Sequence, residues 1–105
     1  LFGSIMATTN NYLGSLADWS IDQASAAAET SGIDFGPEHI VILEVARQFF
    51  DDYGFSPSMR PLCKTLSARL GVDKGRSLYL NHLFPGSPAK QIALLAGLPK
   101  PKNCL

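Results

Sequence analysis

Apolar residues recur at helical spacing through the middle of this chain, and turn-forming residues punctuate them. Ile40, Leu43, Val45, Ala46, Phe49 and Phe50 share one face of a 3.6-residue repeat. Pro37 suits a first helical position and Gly54 a stop, so a core helix is expected over 37–53. Before it, Ser20 with Gln23 makes a capping-box pattern that opens an Ala-rich helix to about Thr30, with Gly32 at its C-terminal end. After it, Ser56-Pro57 is expected to cap a third helix with Met59, Leu62, Cys63, Leu66 and Leu70 as its apolar stripe. Asp73 is expected to cap a fourth helix carrying Leu78, Tyr79, Leu80, Leu83 and Phe84, broken by Pro85-Gly86. Ser87-Pro88 opens a short fifth helix with Ile92, Leu94, Leu95 and Ala96, closed by Gly97. Residues 1–18 read differently. Their apolar residues lie among Gly, Thr and Asn, and Asn10-Asn11 is a turn signal between two extended runs, which predicts a β-hairpin.

The expected fold is therefore mainly α. It is a small helical bundle with a helix-turn-helix-like core, an N-terminal β-hairpin over about 1–18 and an extended C-terminal arm. Residues 1–97 form a single domain and 98–105 a flexible arm in which Pro99 and Pro101 forbid ordinary helix. The length of 105 residues, 46% hydrophobic and 17% charged, fits one globular core with little room for a deep pocket. No apolar run approaches the length of a membrane span. The N-terminus lacks a basic stretch followed by an apolar one, so no signal peptide is expected. A cytoplasmic, monomeric protein that touches no membrane is the expectation.

Net charge is zero, but the charges are segregated. Residues 1–55 hold eight acidic side chains against Arg47 alone, and residues 56–105 hold eight basic ones against Asp73 alone. The basic half suits an acidic partner or a nucleic acid, unless folding interleaves the two halves.

Most catalytic chemistry is missing. His39 and His82 share no metal-ligand spacing with a cysteine or carboxylate pair, and no CxxC, phosphate loop or nucleophile elbow occurs, so neither metal nor cofactor is expected. Asp51-Asp52 reads as a solvated helix end. Chemistry, if there is any, falls to a thiol. Cys63 lies on the apolar stripe of the third helix and reads as a structural, buried cysteine. Cys104 is penultimate, on a Pro-Lys-Pro-Lys arm whose Lys100 and Lys102 favour the thiolate. Eight such residues reach on the order of 20–25 Å. By chemistry alone, this is either a reactive thiol offered to another protein or an incidental cysteine on a frayed tail.

A run of residues bears on that choice. Leu83-Phe84-Pro85-Gly86-Ser87-Pro88-Ala89-Lys90-Gln91, then Ala96-Gly97-Leu98-Pro99-Lys100-Pro101, then Cys104 and a final apolar residue, resembles the TusE/DsrC family of sulfur-relay proteins. Pro37-Glu38-His39, Arg47-Gln48-Phe49-Phe50, Ser56-Pro57 with Arg60, Tyr12-Leu13 and Trp19-Ser20 extend the likeness over nearly the whole chain. The resemblance implies a small helical protein that begins with a hairpin and carries sulfur as a persulfide on Cys104. The DsrC branch has a second cysteine eleven positions earlier; here that position is Ala93, and the single-cysteine pattern is similar to TusE.

By resemblance the chain is a persulfide carrier, a sulfurtransferase without a conventional pocket. Its donor is a TusBCD-like complex and its acceptor a tRNA 2-thiouridylase-like protein, with indirect contact to tRNA. Lys100, Lys102, Arg76, Lys90, Arg60 and Lys74 are the expected docking residues. Two alternatives stand beside it. One is a DsrC-like partner protein in sulfur oxidation or sulfite reduction. The other is a helix-turn-helix DNA-binding module spanning Leu62 to Phe84, with Lys74, Arg76, Ser77 and Asn81 towards a groove.

Overall fold

The computed structural model describes residues 12–102. Five helices follow one another: α1 (Ile21–Thr30), α2 (Pro37–Tyr53), α3 (Met59–Leu70), α4 (Ser77–Leu83) and α5 (Pro88–Leu95). Short 3-10 turns at Tyr12–Ser15 and Val72–Gly75 complete the set.

α1 starts as its capping residues dictate. The Ser20 hydroxyl accepts from the Gln23 N–H at 3.2 Å, and the Gln23 side chain accepts from the Ser20 N–H at 3.0 Å. Ala24 and Ala28 are its buried positions, and their small size lets α5 pack closely. α2 runs through the middle of the core. Ile42, Leu43, Val45, Ala46, Phe49 and Phe50 are buried on its inner face, so Ile42 joins the expected set while Ile40 is only half-buried. Gly54 takes φ +81° after it and returns its N–H to the Phe50 carbonyl at 2.7 Å. Leu62 and Leu66 of α3, Leu80 of α4, Phe84 after it, and Ile92, Ala93 and Leu95 of α5 close the core.

Four expectations need correction. First, the described residues contain no strand: Tyr12–Ser15 form a 3-10 turn, and positions 1–11 of the expected hairpin lie outside the described residues. The turn is held by α2. The Leu13 N–H donates to Asp51 Oδ1 at 3.0 Å, and the Tyr12 ring lies where a Cβ on Gly54 would come within 3.0 Å. Asp51 is thus a tertiary acceptor, not merely a solvated helix end. Second, Ser58, not Ser56, is the residue before α3, and it makes no side-chain cap bond. Ser56 is buried and bonded elsewhere. Third, Asp73 lies within the 3-10 turn, and Arg76 is the residue before α4. Fourth, Leu78 and Leu94 face solvent, at 80% and 61% exposure, because a helix this short buries only one stripe.

The buried His39 ties the start of α2 to the end of α4. Its Nδ1 accepts from the Gly36 N–H at 3.1 Å, which leaves Nε2 to donate to the Leu83 carbonyl at 2.9 Å. The ring meets Phe84 edge-on at 5.0 Å between centroids and Phe35 at 5.7 Å. Replacing His39 by Ala leaves the half-buried Gly36 N–H and Leu83 carbonyl without their partner and a void beside Phe84. A loss of about 3 kcal/mol in denaturant unfolding is expected, with His39→Phe recovering the volume but not the bonds.

Candidate functional site

The root of the C-terminal arm is built as α5 ends. Gly97 adopts φ +70°, its N–H donates to Leu94 at 3.3 Å, and the Leu98 N–H donates to Ala93 at 2.8 Å. This is the two-bond Schellman closure, which needs a left-handed residue, and glycine takes that conformation without strain. Leu98 folds back and is buried.

Two further carbonyls at this end are capped from a distance. The Trp19 indole N–H donates to the Leu95 carbonyl at 2.8 Å, and Arg47 Nη1 donates to the Ala96 carbonyl at 2.7 Å. The Arg47 guanidinium lies 4.5 Å from the centroid of the Trp19 ring, in cation–π contact. Burial draws the Arg47 pKa down from its ordinary value, although a guanidinium stays charged throughout the folding range. Both side chains press on Gly97: a Cβ there would lie 2.8 Å from Trp19 Cδ1 and 3.4 Å from Arg47 Nη1.

Beyond Gly97 the arm does not leave the body at once. The buried Ser56 hydroxyl donates to the Pro99 carbonyl. Pro101 is buried, while Pro99, Lys100 and Lys102 are exposed. The segment 98–102 of the expected flexible arm therefore lies seated along the helical body. Cys104 lies outside the described residues, two positions beyond Lys102.

The other expected docking residues are all exposed but spread out. Arg60 is in the first turn of α3, Lys74 in the Val72–Gly75 turn, Arg76 at the start of α4 and Lys90 on α5. The two charge halves do meet: Asp52 lines a cleft with Lys64 and Arg69, and Glu38 lines another with Lys74. Among the helix-turn-helix candidates, the Asn81 amide donates to the Ser77 carbonyl of its own helix at 3.0 Å. Cys63 is half-buried against the core, and burial pushes its thiol pKa up, which disfavours the thiolate. One cleft is lined by Asp34, Glu38 and His82 together with His39, but both His39 nitrogens are bonded to backbone. No metal-binding group of three occurs among the described residues.

Trp19, Arg47 and Ser56 escaped the reading of the sequence as site residues. One signal was available: Arg47 is the single basic side chain in an acidic half, and it lies on the helix that crosses the core.

The fold and the seated C-terminal segment define a class of small helical proteins. The family described as "DsrC like protein" matches residues 3–105, and the chain belongs to it. Relatives include the Haemophilus influenzae "Sulfurtransferase TusE homolog", 44% identical over 91% of this chain and 88% of that protein. Escherichia coli K12 "Sulfurtransferase TusE" is 41% identical over 96% of this chain and 93% of that protein. Among solved structures, DsrC of Allochromatium vinosum superposes with a TM-score of 0.77 at 38% identity, covering 92% of this chain and 87% of that one. The oxidized gamma-subunit of dissimilatory sulfite reductase (DsrC) from Archaeoglobus fulgidus gives 0.69 at 35%, covering 83% and 80%.

Proposed function

We propose that this chain is a sulfur-relay protein of the TusE type, with Cys104 as the carrier, serving tRNA wobble-uridine 2-thiolation. The observation that supports it most is a single penultimate thiol behind a seated Gly97-Leu98-Pro99-Lys100-Pro101 segment, in a chain whose curated relatives are named sulfurtransferase TusE. At the position where the resemblance puts the second cysteine of DsrC, this chain has Ala93, buried in α5. That arm has no second thiol with which to close a disulfide, which favours a one-thiol relay over DsrC-type chemistry.

The chemistry is thiol exchange. The Cys104 thiolate attacks the outer sulfur of a donor persulfide. A new S–S bond forms, the donor's S–S bond breaks, and the donor leaves as a thiolate. An acceptor thiolate then takes the outer sulfur from Cys104 in the same way, so the transfer needs no external oxidant. The donor is a TusBCD-like complex, the acceptor a tRNA 2-thiouridylase-like protein, and the setting the cytoplasm. The domain contributes docking and positioning. Mass spectrometry after incubation with a cysteine desulfurase, cysteine and the donor complex tests this reading. One reducible extra sulfur on the Cys104 peptide is expected; an unmodified Cys104 would sink it.

Exposed Arg76 and Lys90 are the docking residues nearest α4 and α5. Reversing both to Glu should weaken donor-complex binding about tenfold at low salt. The difference should shrink as salt rises, because exposed charges are screened beyond about 10 Å at 0.1 M. Calorimetric titration at two salt concentrations checks this, and unchanged affinity would remove these residues from the interface.

A further inference from the structure

Phe49 is buried, yet it does not belong to the contiguous core. Its cover is a small aromatic cluster at the α2–α3 connection. Tyr53 lies 4.7 Å from Phe49 between ring centroids, Phe55 lies 5.4 Å away and edge-on, and the two outer rings are 6.4 Å apart. Local packing accounts for a hidden Phe49. It does not account for the outer rings, which stay 61% exposed at Tyr53 and 50% at Phe55. Isolated exposed apolar residues are ordinary on a protein surface, whereas a contiguous patch is the mark of an interaction site.

The patch opens into the cleft between α2 and α3. Phe49, Asp52 and Tyr53 line it from α2, and Lys64, Ala68 and Arg69 from α3. Its volume of about 370 Å³ is small for a ligand pocket and sufficient for one large side chain. Two exposed cations stand in it against one carboxylate. That carboxylate is already engaged, since Asp52 Oδ1 accepts from the Gln48 amide of its own helix at 2.9 Å. Arg60, exposed one turn before Lys64, adds a third cation on α3. An aromatic floor beside cations suits an acidic segment with an apolar anchor: the anchor supplies affinity, and the charges steer acidic partners in and turn basic ones away. Asp52 inside the cleft opposes a phosphate backbone, which favours a protein partner over a nucleic-acid strand.

We infer that Tyr53, Phe55 and the α2–α3 cleft form a docking site for a partner protein's acidic segment carrying one large apolar side chain. The site is separate from Arg76 and Lys90 on α4 and α5, and it stands independently of sulfur transfer. Its position has a consequence for the C-terminal segment. Phe55 directly precedes Ser56, whose hydroxyl holds the Pro99 carbonyl, so a partner on the patch sits next to the point where that segment is held.

The probe is a short synthetic peptide with one central Phe flanked by Glu, titrated into the full chain and followed by amide chemical shifts. Saturable shifts confined to the end of α2, the connection and α3 are expected. Tyr53→Ser and Phe55→Ser should each weaken binding about tenfold. Lys64→Gln with Arg69→Gln should do the same at low salt, with the difference shrinking as salt rises. These four side chains are exposed, so circular dichroism should show an unchanged fold. Leu78→Ser, at a still more exposed apolar position on α4, should leave binding unaltered. A peptide with Ala for Phe, or with Lys for Glu, should not bind. Absence of saturable binding overturns the inference, as does an equal loss in Leu78→Ser, which is the signature of unspecific apolar contact. Two other occupants would also overturn it: an oligouridylate strand that shifts the patch where the peptide does not, or a concentration-dependent dimer that Tyr53→Ser and Phe55→Ser dissolve.

Discussion

Cys104→Ser is expected to abolish sulfur loading, and Cys63→Ser to leave it at the parental level. The contrast follows from where the two thiols sit. Only a thiolate attacks a persulfide at a useful rate, and thiolate character depends on surroundings. Cys63 is on α3, half-buried against the core, with its thiol pKa pushed up by burial. Near neutral pH it remains a protonated thiol. Cys104 follows exposed Lys100 and Lys102 in the sequence, a basic stretch of the kind that suits a reactive thiolate. Serine at 104 preserves size and leaves the anchored segment 95–101 unaltered, so the folded domain should melt as before. Loading is followed by mass spectrometry on separated peptides, with reductant as the control for reversibility. Loading that survives Cys104→Ser, or that disappears with Cys63→Ser, would overturn the assignment. Alkylation should show the same order: at pH 7 the Cys63 peptide reacts more slowly than an unburied cysteine, and its rate climbs only as pH rises towards its elevated pKa.

Gly75→Ala is expected to be the most damaging single-methyl substitution for stability, at about 3 kcal/mol. A Cβ at this position would lie 1.9 Å from Ser67 Oγ, 2.6 Å from the Cys63 carbonyl oxygen and 2.6 Å from the Ser67 backbone nitrogen. The hydroxyl can rotate away. The two backbone atoms belong to α3 and cannot, so the Val72–Gly75 turn must lift off the helix. That turn leads into α4, whose Leu80 and the following Phe84 are fully buried, and lifting it disturbs both. A domain of this size has about 5–10 kcal/mol in total, so the loss is a large share. Guanidinium denaturation should show a lower midpoint with the same slope. Two controls isolate the cause. Gly86→Ala, with φ +98° and nothing within 4 Å of the added carbon, should cost only the backbone strain of about 1–2 kcal/mol. Adding Ser67→Ala to Gly75→Ala should restore little, because the backbone contacts remain. Full recovery in that double variant would show the hydroxyl alone to be the obstacle.

Much of this fold was legible because its helices are bounded by local chemistry. The Ser20–Gln23 box, Pro37 with Gly54, and Pro88 with Gly97 act within one or two turns of chain, and the helices begin and end where those residues put them. Misreadings came where a residue had a tertiary employer. Ser56 has the composition of a cap, yet its hydroxyl serves Pro99 in the C-terminal segment. Tyr12 and Leu13 look like strand residues beside Asn10-Asn11, yet Gly54 and Asp51 of the α2 end hold them in a 3-10 turn. Asp73 has the character of a cap, yet close packing of Gly75 against α3 turns that stretch into a 3-10 turn instead.

The candidate site divides the same way. A penultimate thiol behind Gly-Leu-Pro-Lys-Pro is a covalent fact, and so are the two prolines that keep the arm from being helix. Those properties belong to adjacent residues, so the linear chain by itself determined the carrier candidate and the helical frame. What holds the arm's root is a different matter. Trp19, Arg47 and Ser56 lie 76, 49 and 43 positions from the carbonyls they reach. No periodicity or capping rule links residues so distant. These hydrogen bonds form only once α5 has packed against α1 and α2 and brought its end and the residues after it within reach, and so the tertiary structure alone decided which side chains hold the arm.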